Sequence, residues 1–550
     1  MIAVVSDLHL QQTDPDAVRY KTGDGTYRQI GVRRNVRAGA LDNFFDRVCE
    51  AATRCGAEEV HVVFAGDIFE LHRAPLWFLH AEPDVRPYGD WRTNKVRTRI
   101  LDLLDHLEAE GAAFWEKLRE RAEAGVPRDG EPPLPIRVHY VPGNHDRLAN
   151  EGPEIRRRVR HLLAMPPGDD PFPVRLDFPD YGVRVRHGHE YDATNFPFPV
   201  EDGRSLDRGV EDYLKPAFGD YMTVEVGTRL ALAFRVYHGA AMREDSAEGR
   251  HLRRLYQDLT EFDDVRPLSR LPEYLVERVG GDEKRVYAVL KPLLRDALEQ
   301  ARGSAFFLEQ APSPLPGPLD RVLLDAIRTL AGAASPDALR TALRALALLG
   351  GESQPAEEVR WEPGLGTAAV RFVVGGHTHR PEAVAVARAG KRGGQPALYL
   401  NTGTWRTTIP SGAGAFGRLR AYSMVFCYTK AEQLAFADRR QFETWTGHLA
   451  HRPPGKDEHA PDLALPYDEP ARDTAGDGSK PWYRLRVTRL TAKKVPDDGG
   501  GSAEFRLRLG LDGADDRPIW WDGVKPGAVR TLSDAEGAFR LDPDLDGELR

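Results

Sequence analysis

The sequence predicts an α/β fold: a core of strands and helices, interrupted by a mainly helical insertion and followed by a small β-rich C-terminal domain. Three observations carry this. Six short apolar runs, five of them carrying valine or isoleucine, each stop at glycine or polar residues, segments of helical period lie between them, and the composition shifts near residue 200 and again near residue 451.

The runs come first. "IAVV" at 2–5 leads into Ser6-Asp7-Leu8-His9, and "VHVVFA" at 60–65 leads into Gly66-Asp67-Ile68-Phe69-Glu70. "IRVHYVP" at 136–142 leads into Gly143-Asn144-His145-Asp146, and "GVRVR" at 182–186 into His187-Gly188-His189-Glu190. "RFVV" at 371–374 leads into Gly375-Gly376-His377-Thr378-His379, and "ALYL" at 397–400 into Asn401. Short β-branched runs bounded this way read as strands. Open α/β sheets place ligands outside the carboxyl ends of their strands, so residues far apart in sequence are expected on one rim.

Helices are expected between the strands. Leu41, Phe44, Phe45 and Val48 share a helical face over 40–55, as do Val96, Ile100, Leu103, Leu104 and Leu107 over 96–122. Ile155, Val159, Leu162 and Leu163 repeat the pattern after Asp146. The core is therefore expected over residues 1–200 and 363–450, split by a helical insertion over 201–362. Amphipathic segments such as "RRLYQDLTEF" (253–262), "RVYAVLKPLLRDALEQA" (285–301), "LDRVLLDAIRTLAG" (319–332) and "DALRTALRALALLG" (337–350) carry that reading. Residues 451–480, rich in Pro, Asp and Gly, read as a linker. In 481–550, "WYRLRVTRL" and "AEFRLRLGL" alternate with period two across the turn signal "PDDGGGS". A domain of about 70 residues is marginal alone, so it is expected to pack on the rest or to bind a protein partner.

Composition narrows the classes. The chain has 550 residues, 41% hydrophobic and 29% charged, as in a soluble globular protein. A net charge of −8 argues against a surface that coats nucleic acid, though not against a local basic groove. Three cysteines exclude a disulfide framework, and the lack of a CxxC pair argues against a cysteine zinc site. No apolar run reaches membrane-spanning length, and "MIAVVSDLHL" reads as a first strand rather than a signal peptide; a cytoplasmic protein is the expectation.

Asp7, His9, Asp67, Asn144, His187, His377 and His379 offer four imidazoles, two carboxylates and an amide oxygen. That mixture suits manganese, iron, zinc or nickel better than calcium. Seven ligands exceed one tetrahedral ion and suffice for two if a carboxylate bridges. Two ions ~3.5–4 Å apart can activate a hydroxide and polarise a phosphoryl group. Each motif alone reads equally well as an ordinary turn. Their joint occurrence, each closing a strand, points to metal.

The order D-x-H, G-D-x-x-E, G-N-H-D, H, G-H-x-H resembles the calcineurin-like metallophosphoesterase superfamily, over residues 1 to about 200 and 365 to about 430. The resemblance implies two mixed sheets packed face to face and flanked by helices. It implies two divalent ions, manganese first: one on Asp7, His9, Asp67 and His379, the other on Asp67, Asn144, His187 and His377, with Asp67 bridging. It prefers His187 to His189, because the family ligand ends its strand just before glycine. His145 would assist the leaving group and, with Asn144, meet substrate; Asp146 would orient His145. Arg73, just beyond Glu70, is a further expected phosphate contact.

The activity so implied is hydrolysis of a phosphoester, phosphodiester or pyrophosphate bond by metal-bound hydroxide, on a phosphorylated small molecule of nucleotide type. "GDIFE" and "HGHEYD" look like the cytoplasmic UDP-diacylglucosamine pyrophosphatase branch, but the insertion here is far longer. One alternative is a nuclease whose nucleic acid meets Arg156, Arg157, Arg158 and Arg160. Another is a non-catalytic scaffold on the same fold. The Ser/Thr phosphatase signature G-D-x-V-D-R-G is absent. Asp542, Asp544 and Asp546 read as a turn, since no EF-hand glutamate follows.

Overall fold

The computed structural model describes chiefly residues 1–12, 35–78, 85–198, 204–266, 355–389, 397–411 and 419–447. Beyond these it describes isolated positions from 270 to 306 and the short strands 19–21, 27–32, 466–470 and five more between 485 and 541. The amphipathic segments at 319–332 and 337–350, most of 285–301, and Asp542, Asp544 and Asp546 lie outside the described residues. The chain divides into two compact units, Met1–Pro470 and Ala471–Arg550.

Ten strands of the first unit form two five-stranded sheets. In chain order they are β1 (Ile2–Val5), β2 (Val60–Ala65), β3 (Ile136–Val141), β4 (Leu176–Phe178) and β5 (Val183–Val185). Then come β6 (Phe372–Gly375), β7 (Pro381–Val386), β8 (Ala397–Thr402), β9 (Tyr422–Cys427) and β10 (Phe442–Gly447). One sheet runs β10-β9-β1-β2-β3, the other β7-β8-β6-β5-β4. Both are mixed. β1, β2 and β3 are parallel in the first, β5, β6 and β8 in the second, and antiparallel strands close their flanks. All six sequence-predicted strands are these six parallel ones.

Alternation along β1 shows how the layers form. Side chains of a strand point to opposite faces in turn. Ile2 and Val4 join an apolar cluster with Val63, Val183, Val185, Phe372, Val374 and Leu400, so both sheets share it. Ala3 and Val5 face the other way, into a cluster with Phe44, Val48, Ile100, Leu104, Ile155 and Val159. Those come from helices α1 (Ala38–Cys55), α2 (Asn94–Glu110) and α4 (Pro153–Leu162). The single helix expected over 96–122 is broken at Gly111, after which α3 (Ala112–Ala124) begins. The far face of the second sheet is covered by Tyr191, Leu206 and Val359.

The described part of the insertion is mainly helical. It includes the short helix Phe218–Tyr221, a π-helical stretch Met222–Thr228, α5 (Arg229–Met242) and α6 (Ala247–Thr260). After α6 comes a two-residue strand, Val265–Arg266, paired in parallel with Ile409 and Pro410, and near the insertion's end is the short helix Pro355–Val359. Within the stretch read as a linker, Pro466–Pro470 pairs antiparallel with Tyr27–Val32. The second unit contains an antiparallel meander of Leu485–Lys493, Ala503–Leu511 and Arg517–Val524; its first two strands carry the period-two sequences. No helix among the described residues is long and apolar enough to cross a membrane.

Candidate metal centre

The loops after the parallel strands are laced together at one edge. Asp7 N donates to Gly66 O (3.0 Å), His9 N to Asp67 O (2.9 Å), and His145 N to Asp67 Oδ1 (2.8 Å). His377 N donates to the Asp7 carboxylate (3.0 Å to Oδ2), across 370 residues of chain. Such crowding needs glycine. At Gly376 a methyl group would overlap the Asp7 carboxylate and the Ser6 hydroxyl; at Gly143 it would overlap Asp67.

The backbone is bent most where the expected ligands sit. Seven non-glycine residues have positive φ among the described residues. Two are Ala164 and Arg439; the other five are Asp7 (53°), His9 (44°), Asp67 (53°), His377 (71°) and His379 (59°). The left-handed region disfavours side chains, and residues held there cluster at functional sites.

The side chains meet in three overlapping groups: Asp7, His9 and His379; His9, Asp67 and His145; and Asp67, His187 and His377. In the first, His9 Nε2 lies 3.0 Å from His379 Nε2 and 3.7 Å from Asp7 Oδ1, and His379 Nε2 lies 3.3 Å from Asp7 Oδ1. Ligands about 2.1 Å from a shared ion stand roughly 3.0–3.4 Å apart, so the two separations from His379 match a ligand set and the third is slightly longer. Asp67 Oδ2 is 3.7 Å from His9 Nε2 and 3.2 Å from His187 Nε2, between the first and third groups. Asn144 Oδ1 stands 3.1 Å from His377 Nδ1. All seven sequence-predicted ligands therefore converge.

His187 gives the sharpest test of fit. Its Nδ1 meets Ala65 O at 2.8 Å, which leaves a lone pair on Nε2. That atom is buried and makes no hydrogen bond, although it faces Asp67. Two buried acceptors turned toward each other fit a cation between them. His189 is a neighbour rather than a member: its ring lies 5.4 Å from His187, packed against Phe196 and Tyr213, and burial lowers its pKa to about 4.

Without an ion, protons on the rings take its place opposite the carboxylates, and the acids and rings hold one another charged. Burial opposes it, but His187 and the neighbouring rings hold the Asp7 carboxyl well below its usual range. Against burial, Asp7 and Glu70 raise His9 to about 9, and Asp67 raises His187 to about 10. His379 goes the other way, down to about 3, through burial and then the Arg266 guanidinium.

Two expected contacts are made differently. Asp146 does not orient His145: its carboxylate accepts backbone N–H groups from Asp67, Ile68, Phe69 and Gly143, tying two loops together. The orienting acid is Glu70, whose Oε1 lies 2.7 Å from His145 Nδ1. With Asp67, Glu70 raises His145 to about 10 despite burial. Arg73, expected at the substrate, turns to the insertion: it pairs with Asp263 and donates to Thr260 O.

Other contacts escaped sequence reasoning. Asp192 Oδ2 lies 3.0 Å from His377 Nε2, and Arg266 Nη2 lies 2.7 Å from His379 Nδ1. Asn401 donates to Gly376 O (2.6 Å) and so supports the histidine turn. The arginines of α4 are engaged: Arg157 pairs with Asp169, Arg158 with Asp105 and Glu108, while Arg156 and Arg160 donate to the carbonyls of Asp169 and Asp170.

No family model matches the chain, and no curated protein matches its sequence.

Proposed function

We propose that the protein is a metallophosphoesterase of the calcineurin-like type: a sandwich of two mixed sheets whose edge holds two divalent ions and hydrolyses a phosphoester, phosphodiester or pyrophosphate bond. The observation that carries this reading is the convergence of Asp7, His9, Asp67, Asn144, His187, His377 and His379 from five strand ends. Asp7, His9 and His379 suit one ion, Asn144, His187 and His377 the other, with Asp67 between them. Two ions held there supply Lewis acidity toward phosphoryl oxygens and an activated water. Manganese heads the candidates by the same resemblance; imidazole, carboxylate and amide oxygen with no thiolate suit iron, zinc or nickel as well.

The chain's own residues supply the rest. His145 sits beside His9, ring centroids 4.8 Å apart, with Glu70 on Nδ1. Its other nitrogen is left to deliver a proton to a departing oxygen. A small nucleotide-type substrate is favoured over nucleic acid, because the arginines of α4 are already bound to acids and carbonyls.

The test is a panel of substrates on the manganese-reconstituted protein: bis-p-nitrophenyl phosphate, p-nitrophenyl phosphate, cyclic nucleotides, UDP-sugars and single-stranded DNA, with His145→Ala as control. Metal-dependent turnover lost in the control supports the proposal. A protein that binds two ions but cleaves none of these is the scaffold reading instead.

A further inference from the structure

Three of the four expected ligand rings have an acceptor behind them. His9 Nδ1 faces Glu70 Oε2 at 3.1 Å, His187 Nδ1 faces Ala65 O at 2.8 Å, and His377 Nε2 faces Asp192 Oδ2 at 3.0 Å. An acceptor there takes the ring proton and turns the opposite nitrogen's lone pair to the site. His379 breaks the rule. Behind its Nδ1, at 2.7 Å, is the guanidinium of Arg266.

A guanidinium only donates. Nδ1 of His379 therefore accepts, and its proton must sit on Nε2, the atom that faces Asp7 and His9. In that tautomer His379 has no lone pair to give an ion.

Arg266 is not a stray surface chain. It belongs to the strand Val265–Arg266, pinned by parallel pairing with Ile409 and Pro410 and by Ser411 N on Arg266 O (3.0 Å). Just before it, Asp263 and Asp264 are gripped by core arginines. Arg406 Nη2 lies 2.8 Å from Asp263 and 3.0 Å from Asp264, and Arg73 pairs with Asp263 as well. The insertion thus delivers a cation to the back of one ligand from a fixed platform.

We propose that Arg266 regulates ion binding at His379: while it holds Nδ1 it keeps His379 from acting as a ligand, and loading of that position requires Arg266 to leave. The inference rests on the functional reading above and deepens it. Because the platform belongs to the insertion, whatever shifts the segment Phe262–Arg266 also shifts metal affinity, and binding of the metal shifts the segment in return.

The test is calorimetric titration of the metal-free full chain with manganese. His379→Ala identifies which class of sites depends on that ring. Arg266→Gln is expected to tighten that class about tenfold, the scale on which partners behind a ligand change affinity. Arg266→Lys, which keeps a donor cation, is expected to stay within about threefold of wild type. Melting curves check both folds, and Arg266→Met replaces the glutamine variant if that melts early. Unchanged or weaker binding in Arg266→Gln overturns the inference and leaves the functional reading standing, as does equal tightening in Arg266→Lys. A wild type that binds no manganese overturns both.

Discussion

Glu70 and His145 are joined at 2.7 Å, Oε1 to Nδ1, and the other oxygen of the same carboxylate reaches His9 Nδ1 at 3.1 Å. One buried acid therefore sets the orientation of an expected ligand and of the expected proton donor. Glu70→Gln offers only one acceptor oxygen for two ring donors. It is expected to weaken manganese binding ~10–100-fold, measured by titration, and to lower kcat as well.

Metal counting separates the histidines. His145→Ala is expected to retain both ions while kcat falls by about 10²–10⁴. His187→Ala is expected to lose one equivalent, and His189→Ala neither, because His189 packs on Phe196 and Tyr213 outside the ligand groups. Atomic emission on the dialysed variants checks all three. Loss of an ion from His189→Ala alone would reverse the assignment.

Asp146 is expected to matter for stability rather than for the proton step. Its carboxylate satisfies Ile68 N (2.8 Å), Phe69 N (3.2 Å), Asp67 N (3.3 Å) and Gly143 N (2.6 Å). Removal strands buried donors at about 1–3 kcal/mol each. Asp146→Ala is expected to lower unfolding free energy by at least ~3 kcal/mol in urea titration.

A pair of histidines far from the centre gives the fold a dependence on pH. His61 Nδ1 and His139 Nε2 lie 3.0 Å apart, beside the Phe178 ring. Burial first, and then the His61 charge, push His139 from 6.5 to about 4; burial also lowers His61. Between those values the unfolded chain binds more protons than the folded one. Stability is therefore full above pH 6.5 and falls as pH drops toward 4. Urea midpoints at pH 7 and pH ~4.5 are expected to differ more in wild type than in His139→Gln.

The strands and the metal-type residues that close them were legible because both signals are local. An apolar run and the polar residues that end it lie within ten positions of each other, and the six runs are the six parallel strands. The partners of those residues were not legible. Asp192 and His377 are 185 residues apart, Arg266 and His379 are 113, and neither pair belongs to one motif. Glu70 stood inside its motif, but only the fold shows that its carboxylate reaches His145 while Asp146 turns to the backbone. The break at Gly111 was missed because Phe114, Trp115 and Leu118 continue an apolar face beyond it.

The left-handed backbone at Asp7, His9, Asp67, His377 and His379 limits which residues can replace these expected ligands. That basin accepts glycine, asparagine, aspartate and histidine, and repels β-branched chains. The palette for exchange is correspondingly short. Asn for Asp, or Asp for His, alters the donor and spares the loop, whereas Val or Thr would unseat the main chain before any change in coordination could be read.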